Sequence, residues 1–339
     1  MMLSKKLLSA IAVLIISTTA LLGCSNKASG PSKLKVGYMR VMDDAQAIAA
    51  YEGGFYKKHG LDVELVEFKS GTDLIKAIIA GQVDTGVLGF TNAVAWAAKG
   101  ADLKVIGAAQ QGYHELIARD DSGIKDVAGL KGKTLASQAE GSTADTVLKG
   151  VVLKNAGLKP EDLNIMGVSP QVAVQSLIAK RVDAAFLFEP QATIAKLTAP
   201  VKKIYEIGEV WPFPCMVVIT SGDTLNKRRD DVWKSLDAQK EAIDLLTSQP
   251  AEAAKLIASY FIAEPTLDTL KNGKVPREDV IRDAIKSQTF SVVLTEKDQK
   301  RMQEIADIMR EQNALKTEDG KPFDVSKVVD LAWQKERKL

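Results

Sequence analysis

Ser142 and Thr143, in the stretch ASQAEGSTADT, have the residue types and position to cap a helix whose positive end faces a polar or anionic group. Glu140 and Gly141 supply the turn before them, and Asp145 falls in the first helical turn. Five other short stretches offer similar groups at the ends of apolar runs. GYMRVMDDAQ places Arg40, Val41, Met42, Asp43 and Asp44 just beyond a strand, and GFTNAV offers Phe90 with Thr91 or Asn92 as a cap. AAQQGYHE ends a strand at Gln110 and Gln111, FLFEPQ puts Glu189 after another, and EVWPFPC carries Trp211 and Phe213. These are tools of reversible capture: N–H groups and hydroxyls for a polar head, carboxylates for a cation, and aromatic faces for stacking.

They are not the tools of covalent chemistry. The chain has two histidines, His59 in KKHG and His114 in QGYHEL, and neither stands in a metal or nucleophile pattern. GLKGKT lacks the glycine spacing of a phosphate loop and reads as a turn. The expectation is therefore a binding protein without cofactor or metal, and not an enzyme. Each candidate also has a plainer role. Ser142 or Thr143 can be a helix cap and nothing more, and Glu189 can begin a helix as a favourable N-terminal charge. Asp43 and Asp44 can form a solvated turn, Trp211 and Phe213 can be packing, and Cys215 in PCMVVIT reads as a buried, inert thiol.

A duplicated unit must position these groups. Residues 66 to 92, VEFKSGTDLIKAIIAGQVDTGVLGFTN, are echoed by residues 165 to 191, IMGVSPQVAVQSLIAKRVDAAFLFEPQ, with Asp84 and Asp183 separated by 183 − 84 = 99 residues. Each copy has a strand stub, a Ser-Gly or Ser-Pro turn, an amphipathic helix, Val-Asp, a short apolar strand and a polar turn. Asp84 and Asp183 read as residues that fix the turn between helix and strand. Duplication of an α/β unit predicts two lobes, each with its own parallel sheet. The strands ELIARD and CMVVIT are expected to cross between them, and the chain after residue 220 reads as almost wholly helical. That places lobe 1 at residues 34–118 and 220–339, and lobe 2 at residues 119–219. DAQAIAAYEGGFYKKHG reads as one helix.

Composition agrees with a soluble globular chain: 46% hydrophobic and 26% charged. Lys and Arg number 45 against 43 Asp and Glu, so the net charge of +2 gives no electrostatic reason to expect nucleic acid. The N-terminus differs. Lys5 and Lys6 precede an apolar run from Leu7 to Leu22, too short for a comfortable membrane span, and LLGC resembles the lipobox of bacterial lipoproteins. This implies a signal peptide at residues 1–23, a lipidated Cys24, and a flexible linker through residue 33, anchoring the chain outside the cytoplasm.

Taken in order after that lipobox, GFYKKHGLDVELV, AIIAGQVDTGVLG, LKGKTLASQAEGST and VDAAFLFEP resemble the solute-binding proteins of nitrate, sulfonate, taurine and thiamin-pyrimidine-precursor importers. The resemblance runs from about Leu34 to the closing DVSKVVDLAWQKER. It implies an α/β, two-lobed fold of the periplasmic-binding-protein type II, with a C-terminal helical region. The chain would act as a monomer, close on a small-molecule ligand and deliver it to an ABC permease and its ATPase. A pyrimidine-synthesising enzyme shares this fold, but its cysteine- and histidine-rich signature is absent. Asp43, Asp44, Glu140 and Glu189 outnumber the one basic rim residue, Arg40. That balance suits a ligand with both an anionic head and an amine, such as an aminosulfonate, or an aminopyrimidine stacked on Phe90 or Trp211. An extracytoplasmic sensor is the remaining alternative.

Overall fold

The structure, a computed structural model, describes residues 33–317 and 320–339. The expected signal peptide at residues 1–23 and the expected lipidated Cys24 lie outside the described residues. Strands β1 (Leu34–Tyr38), β2 (Val63–Glu67), β3 (Thr85–Gly89) and β4 (Lys104–Gln111) open one sheet. Strands β5 (Glu115–Arg119), β6 (Thr134–Ser137), β7 (Asn164–Gly167), β8 (Ala184–Leu187) and β9 (Val201–Glu206) make a second, in the order β7-β6-β8-β5-β9. The chain then returns to the first sheet through β10 (Pro214–Thr220). After a separate hairpin of β11 (Thr266–Thr269) and β12 (Gly273–Pro276), β13 (Thr289–Phe290) completes the order β13-β4-β10-β3-β1-β2.

The sequence duplication is a duplication of register. In the first sheet Val36 pairs with Thr85 and Gly37 with Gly86; in the second Leu135 pairs with Ala184 and Ala136 with Ala185. Each pairing is the other displaced by 99 positions (135 − 36 and 184 − 85). The two aspartates make the same bond in each copy. Asp84 Oδ2 accepts the Lys35 N–H at 2.7 Å and Asp183 Oδ2 accepts the Thr134 N–H at 3.0 Å, both across 49 residues. An arginine attends each carboxylate, Arg228 at 3.0 Å from Asp84 and Arg119 at 3.7 Å from Asp183. The pair clamps the entrance of one parallel strand to the start of its neighbour. The repeated serines are caps: Ser70 accepts the Asp73 N–H at 3.2 Å, and Ser169 accepts the Val172 N–H at 3.4 Å.

Several sequence expectations are corrected. ELIARD and CMVVIT do not span the gap, because β5 is paired on both sides by β8 and β9, and β10 on both sides by β3 and β4. The crossings are the shorter segments 112–114 and 207–213, so both boundaries move toward the N-terminus from residues 118 and 219. At the first crossing Gly112 leaves room for Phe213 of the second, since a Cβ there would sit 2.0 Å from Phe213 Cε1. The single helix expected from residue 44 onward is two, Ala45–Glu52 and Phe55–Lys58, broken where Gly54 takes φ +72°. The C-terminal part is not wholly helical either. The three residues 270–272 connect β11 and β12, and Gly273, at φ +63°, opens β12 opposite Thr269.

The C-terminal segment leans on both sheets. Ile308, in the helix Glu296–Glu311, meets the π-helical turn Leu148–Leu153 of the second sheet's layer at Gly150, where a Cβ would lie 2.3 Å from Ile308 Cγ2. Trp333 in the last helix, Ala332–Glu336, is fully buried and donates Nε1–H to Asp237 at 3.0 Å. No helix among the described residues is long and apolar enough to cross a membrane.

Candidate ligand cavity

The loops that leave the C-terminal ends of the parallel strands in the two sheets face one another around a cavity of about 170 Å³. Such rims are where open α/β sheets bind ligands. From the first sheet come Met39, Val41 and Asp43 after β1, Gly89 and Asn92 after β3, and Cys215 and Met216 of β10. From the second come Gln138, Ser142, Thr143, Ala144 and Phe188, and His114 enters from the first crossing. No lysine or arginine is among these residues.

Two helix starts meet here. The helix Phe90–Ala97 begins at Gly89, and the helix Thr143–Val147 runs on into the π-helical turn. First-turn N–H groups have no intrahelical acceptor, so both starts offer donors and partial positive charge to the cavity. Ser142 Oγ is already engaged, accepting the Asp145 N–H at 3.1 Å, which leaves the Thr143 and Ala144 N–H groups to face a ligand. The hydroxyls of Thr91 and Thr143 bond to each other at 2.9 Å and tie the two rims together. Gly89 permits this, because a Cβ there would come within 2.9 Å of Thr143 Oγ1.

Among the described residues Asp43 is the one carboxylate lining the cavity. Its Oδ1 accepts from Gln288 Nε2 at 3.0 Å, while no described residue donates to Oδ2. Burial raises its pKa to about 7, the Gln288 amide opposing and the charge of Glu189 adding to the rise. His114 is also buried. Its ring stacks on Phe186 at 5.2 Å, with Phe188 and Phe213 at 6.0 and 6.5 Å, and its Nδ1 has no protein partner. Burial lowers its pKa to about 3, so the imidazole is neutral at physiological pH. The Cys215 thiol is buried and pushed upward by burial and by the nearby carboxylates, so it is not an activated nucleophile.

Of the sequence candidates, the cavity brings together Asp43, Asn92, Ser142 and Thr143, with Thr91 one bond behind. The others lie elsewhere, each for a physical reason. Asp44 turns its carboxylate onto the Met39 N–H at 2.7 Å and shapes the loop. Phe90 is fully buried core, and Gln110 is buried inside β4, its amide without a protein partner. Gln111 faces a separate groove with Tyr113 and Lys203. Glu140 and Gly141 line an outer groove against Ile308 and Glu311. Trp211 lies under the Arg301 guanidinium, 4.0 Å from its ring centroid, outside the cavity. Arg40 points outward to Glu67 at 2.8 Å. Glu189 is fully buried and holds the next helix, accepting from the Thr193 N–H at 3.0 Å and the Thr193 hydroxyl at 2.9 Å. Sequence reasoning missed His114, Gln138, Phe188 and Met216. QGYHEL carries no pattern that marks a ligand histidine, and the other three become visible only when the two sheets face each other.

Comparison with known proteins places this arrangement. Residues 42–253 match the model of the family described as NMT1/THI5 like, more than half of the chain. The chain belongs to the NMT1/THI5-like family. A relative from Bacillus subtilis (strain 168), named as an aliphatic sulfonates-binding protein, is 26% identical over 335 residues, covering 95% of this chain and 95% of its own. A Saccharomyces cerevisiae (strain ATCC 204508 / S288c) relative, 4-amino-5-hydroxymethyl-2-methylpyrimidine phosphate synthase THI11, is 26% identical over 230 residues, 63% of this chain and 66% of its own. The solved structure of the alkanesulfonate-binding protein SsuA from Xanthomonas axonopodis pv. citri bound to MOPS superposes with a TM-score of 0.73 at 23% identity. The superposition covers 90% of this chain and 100% of that one, and makes the NMT1/THI5-like chain a two-lobed α/β protein of the periplasmic-binding-protein fold.

Proposed function

We propose that this protein is the extracytoplasmic solute-binding component of an ABC importer, and that it captures a small aliphatic sulfonate bearing an amine, of the taurine type. The observation that carries this is the pairing of two opposed helix starts with a single carboxylate around one small cavity. The helix starts favour a sulfonate head, and the free oxygen of Asp43 suits an ammonium group. The volume falls below the roughly 300–1,000 Å³ of pockets for drug-sized ligands, which suits a solute of few non-hydrogen atoms. The two lobes are taken to pivot at residues 112–114 and 207–213 and to act in one monomer, which hands its ligand to a permease and its ATPase.

A thermal-shift panel of taurine, ethanesulfonate, nitrate and an aminopyrimidine tests the ligand class. A ligand at about 100 times its Kd adds roughly 2.7 kcal/mol, and taurine is expected to give the largest rise in Tm. The aminopyrimidine belongs in the panel because Phe188 and His114 give the cavity an aromatic wall. A rise with the pyrimidine and none with either sulfonate would transfer the assignment to that class.

The lipid anchor rests on Cys24 at the end of the apolar run. Wild-type protein is expected in the membrane fraction, and Cys24→Ala in the soluble one. A wild-type chain found wholly soluble, with its N-terminus cut elsewhere, would remove the anchor from the account.

A further inference from the structure

Glu189 has a second partner beyond its own helix. The Ser287 hydroxyl donates to Glu189 Oε1 at 2.9 Å, joining the end of the helix Arg277–Lys286 to the loop after β8. The next residue, Gln288, donates to Asp43 at the cavity wall, and the two after it, β13, pair with Gln111 and Gln110 of β4. One dipeptide, fastened to the first sheet, therefore reaches the ligand cavity with residue 288 and the second sheet with residue 287. Other contacts cross between the sheets as well, among them the Thr91–Thr143 hydroxyl pair at 2.9 Å, Leu270 N–H to the Leu197 carbonyl at 2.9 Å, Gln312 Nε2 to the Thr146 carbonyl at 3.1 Å, and Ile308 against Gly150.

The Ser287 bond differs from these in having a fallback. Its Oγ is also 2.9 Å from the Ala284 carbonyl, in its own helix. A hydroxyl has one proton to donate, so it can serve Glu189 or Ala284 but not both at full strength. With Glu189 withdrawn, the Ala284 carbonyl would still accept the Ser287 proton and no donor would be stranded. Glu189 keeps both Thr193 bonds and stays satisfied. A contact whose two states are each satisfied can switch at small cost.

We infer that Ser287 and Gln288 form a latch: Gln288 registers the position of Asp43 at the ligand, and Ser287 bonds Glu189 only in the closed form, so that the pair sets how long the lobes stay shut. They are positioning residues, since neither lines the cavity. The inference rests on the binding-protein reading for its ligand but not for its geometry.

The test reads inter-lobe distance directly. Spin labels are placed at Lys99→Cys and Lys202→Cys, both exposed, in the chain from residue 25, which keeps the whole compact unit 33–339. Distances are measured without solute and with saturating taurine, in chains that carry Ser287, Ser287→Ala or Ser287→Thr. Ser287→Ala is expected to lengthen the mean distance in at least one condition and to speed taurine release several-fold with little change in the association rate. Ser287→Thr, which keeps the hydroxyl, is expected to match the parent, a rescue that a mere packing role would not give. Identical distance distributions for Ser287 and Ser287→Ala in both conditions would overturn the latch. If taurine leaves the parent unmoved while Ser287→Ala still lengthens the distance, the ligand assignment fails and the latch stands.

Discussion

Taurine affinity is expected to rise about a hundredfold from pH 5 to pH 8, and Asp43→Asn is expected to flatten that dependence. An ammonium group needs Asp43 ionised, and with a pKa of about 7 each unit below that value leaves about tenfold fewer ionised molecules. His114 titrates near 3 and stays neutral throughout the window, so it does not account for such a slope. Ethanesulfonate, which has no amine, should show the opposite sign and weaken as Asp43 gains charge. The ligand-free protein carries the same proton in its stability. The folded pKa is raised above the ordinary 3.8, so the contribution of Asp43 is fully present below about pH 4 and is lost as pH rises through about 7. Titration calorimetry across the range decides the matter. A flat profile for taurine would mean that its amine does not meet Asp43.

Trp333→Ala is expected to cost about 3–5 kcal/mol, although the residue lies far along the chain from any candidate ligand group. Its ring is fully buried, and Asp237 would lose the indole donor while keeping Arg337 at 2.9 Å. A Trp-to-Ala change leaves a cavity that neighbours on two layers cannot both fill. Urea unfolding gives the number. A loss below about 1 kcal/mol would show that the last helix is an appendage rather than part of the first sheet's core.

The duplicated phrase made the architecture legible because helix caps follow from local residue order and a repeated α/β unit repeats its pairing register, Val36 with Thr85 and Leu135 with Ala184. Ser70 and Ser169 could be read from the sequence as turn residues and each caps its helix, whereas Asp84 and Asp183, read as residues of the helix-to-strand turn, bond the neighbouring strand 49 residues earlier. The site was less legible because its geometry depends on two rims meeting. Glu189 illustrates the limit: a glutamate between a strand and a helix has the same local signature whether it holds the helix, meets a ligand or bonds another lobe. Here it does the first and third, and only the position of Ser287, 98 residues later, distinguishes them. Asp43 and Asp44 are adjacent and alike in sequence, yet one turns to the cavity and the other to the Met39 N–H. A rotation of the chain by one residue in a short 3-10 turn separates their fates.

The central claim is that a sulfonate-class solute occupies the cavity between the two helix starts. Filling that cavity tests it most directly. Val41→Trp places a large ring into the lining from a half-buried loop position, where the fold can accept it, and an unchanged Tm would confirm that the protein remains folded. Calorimetry of the parent with taurine is predicted to show one-to-one binding, weakened more than a hundredfold in Val41→Trp. Taurine binding with the same affinity in both chains, or no binding of any sulfonate to the parent, would contradict the account.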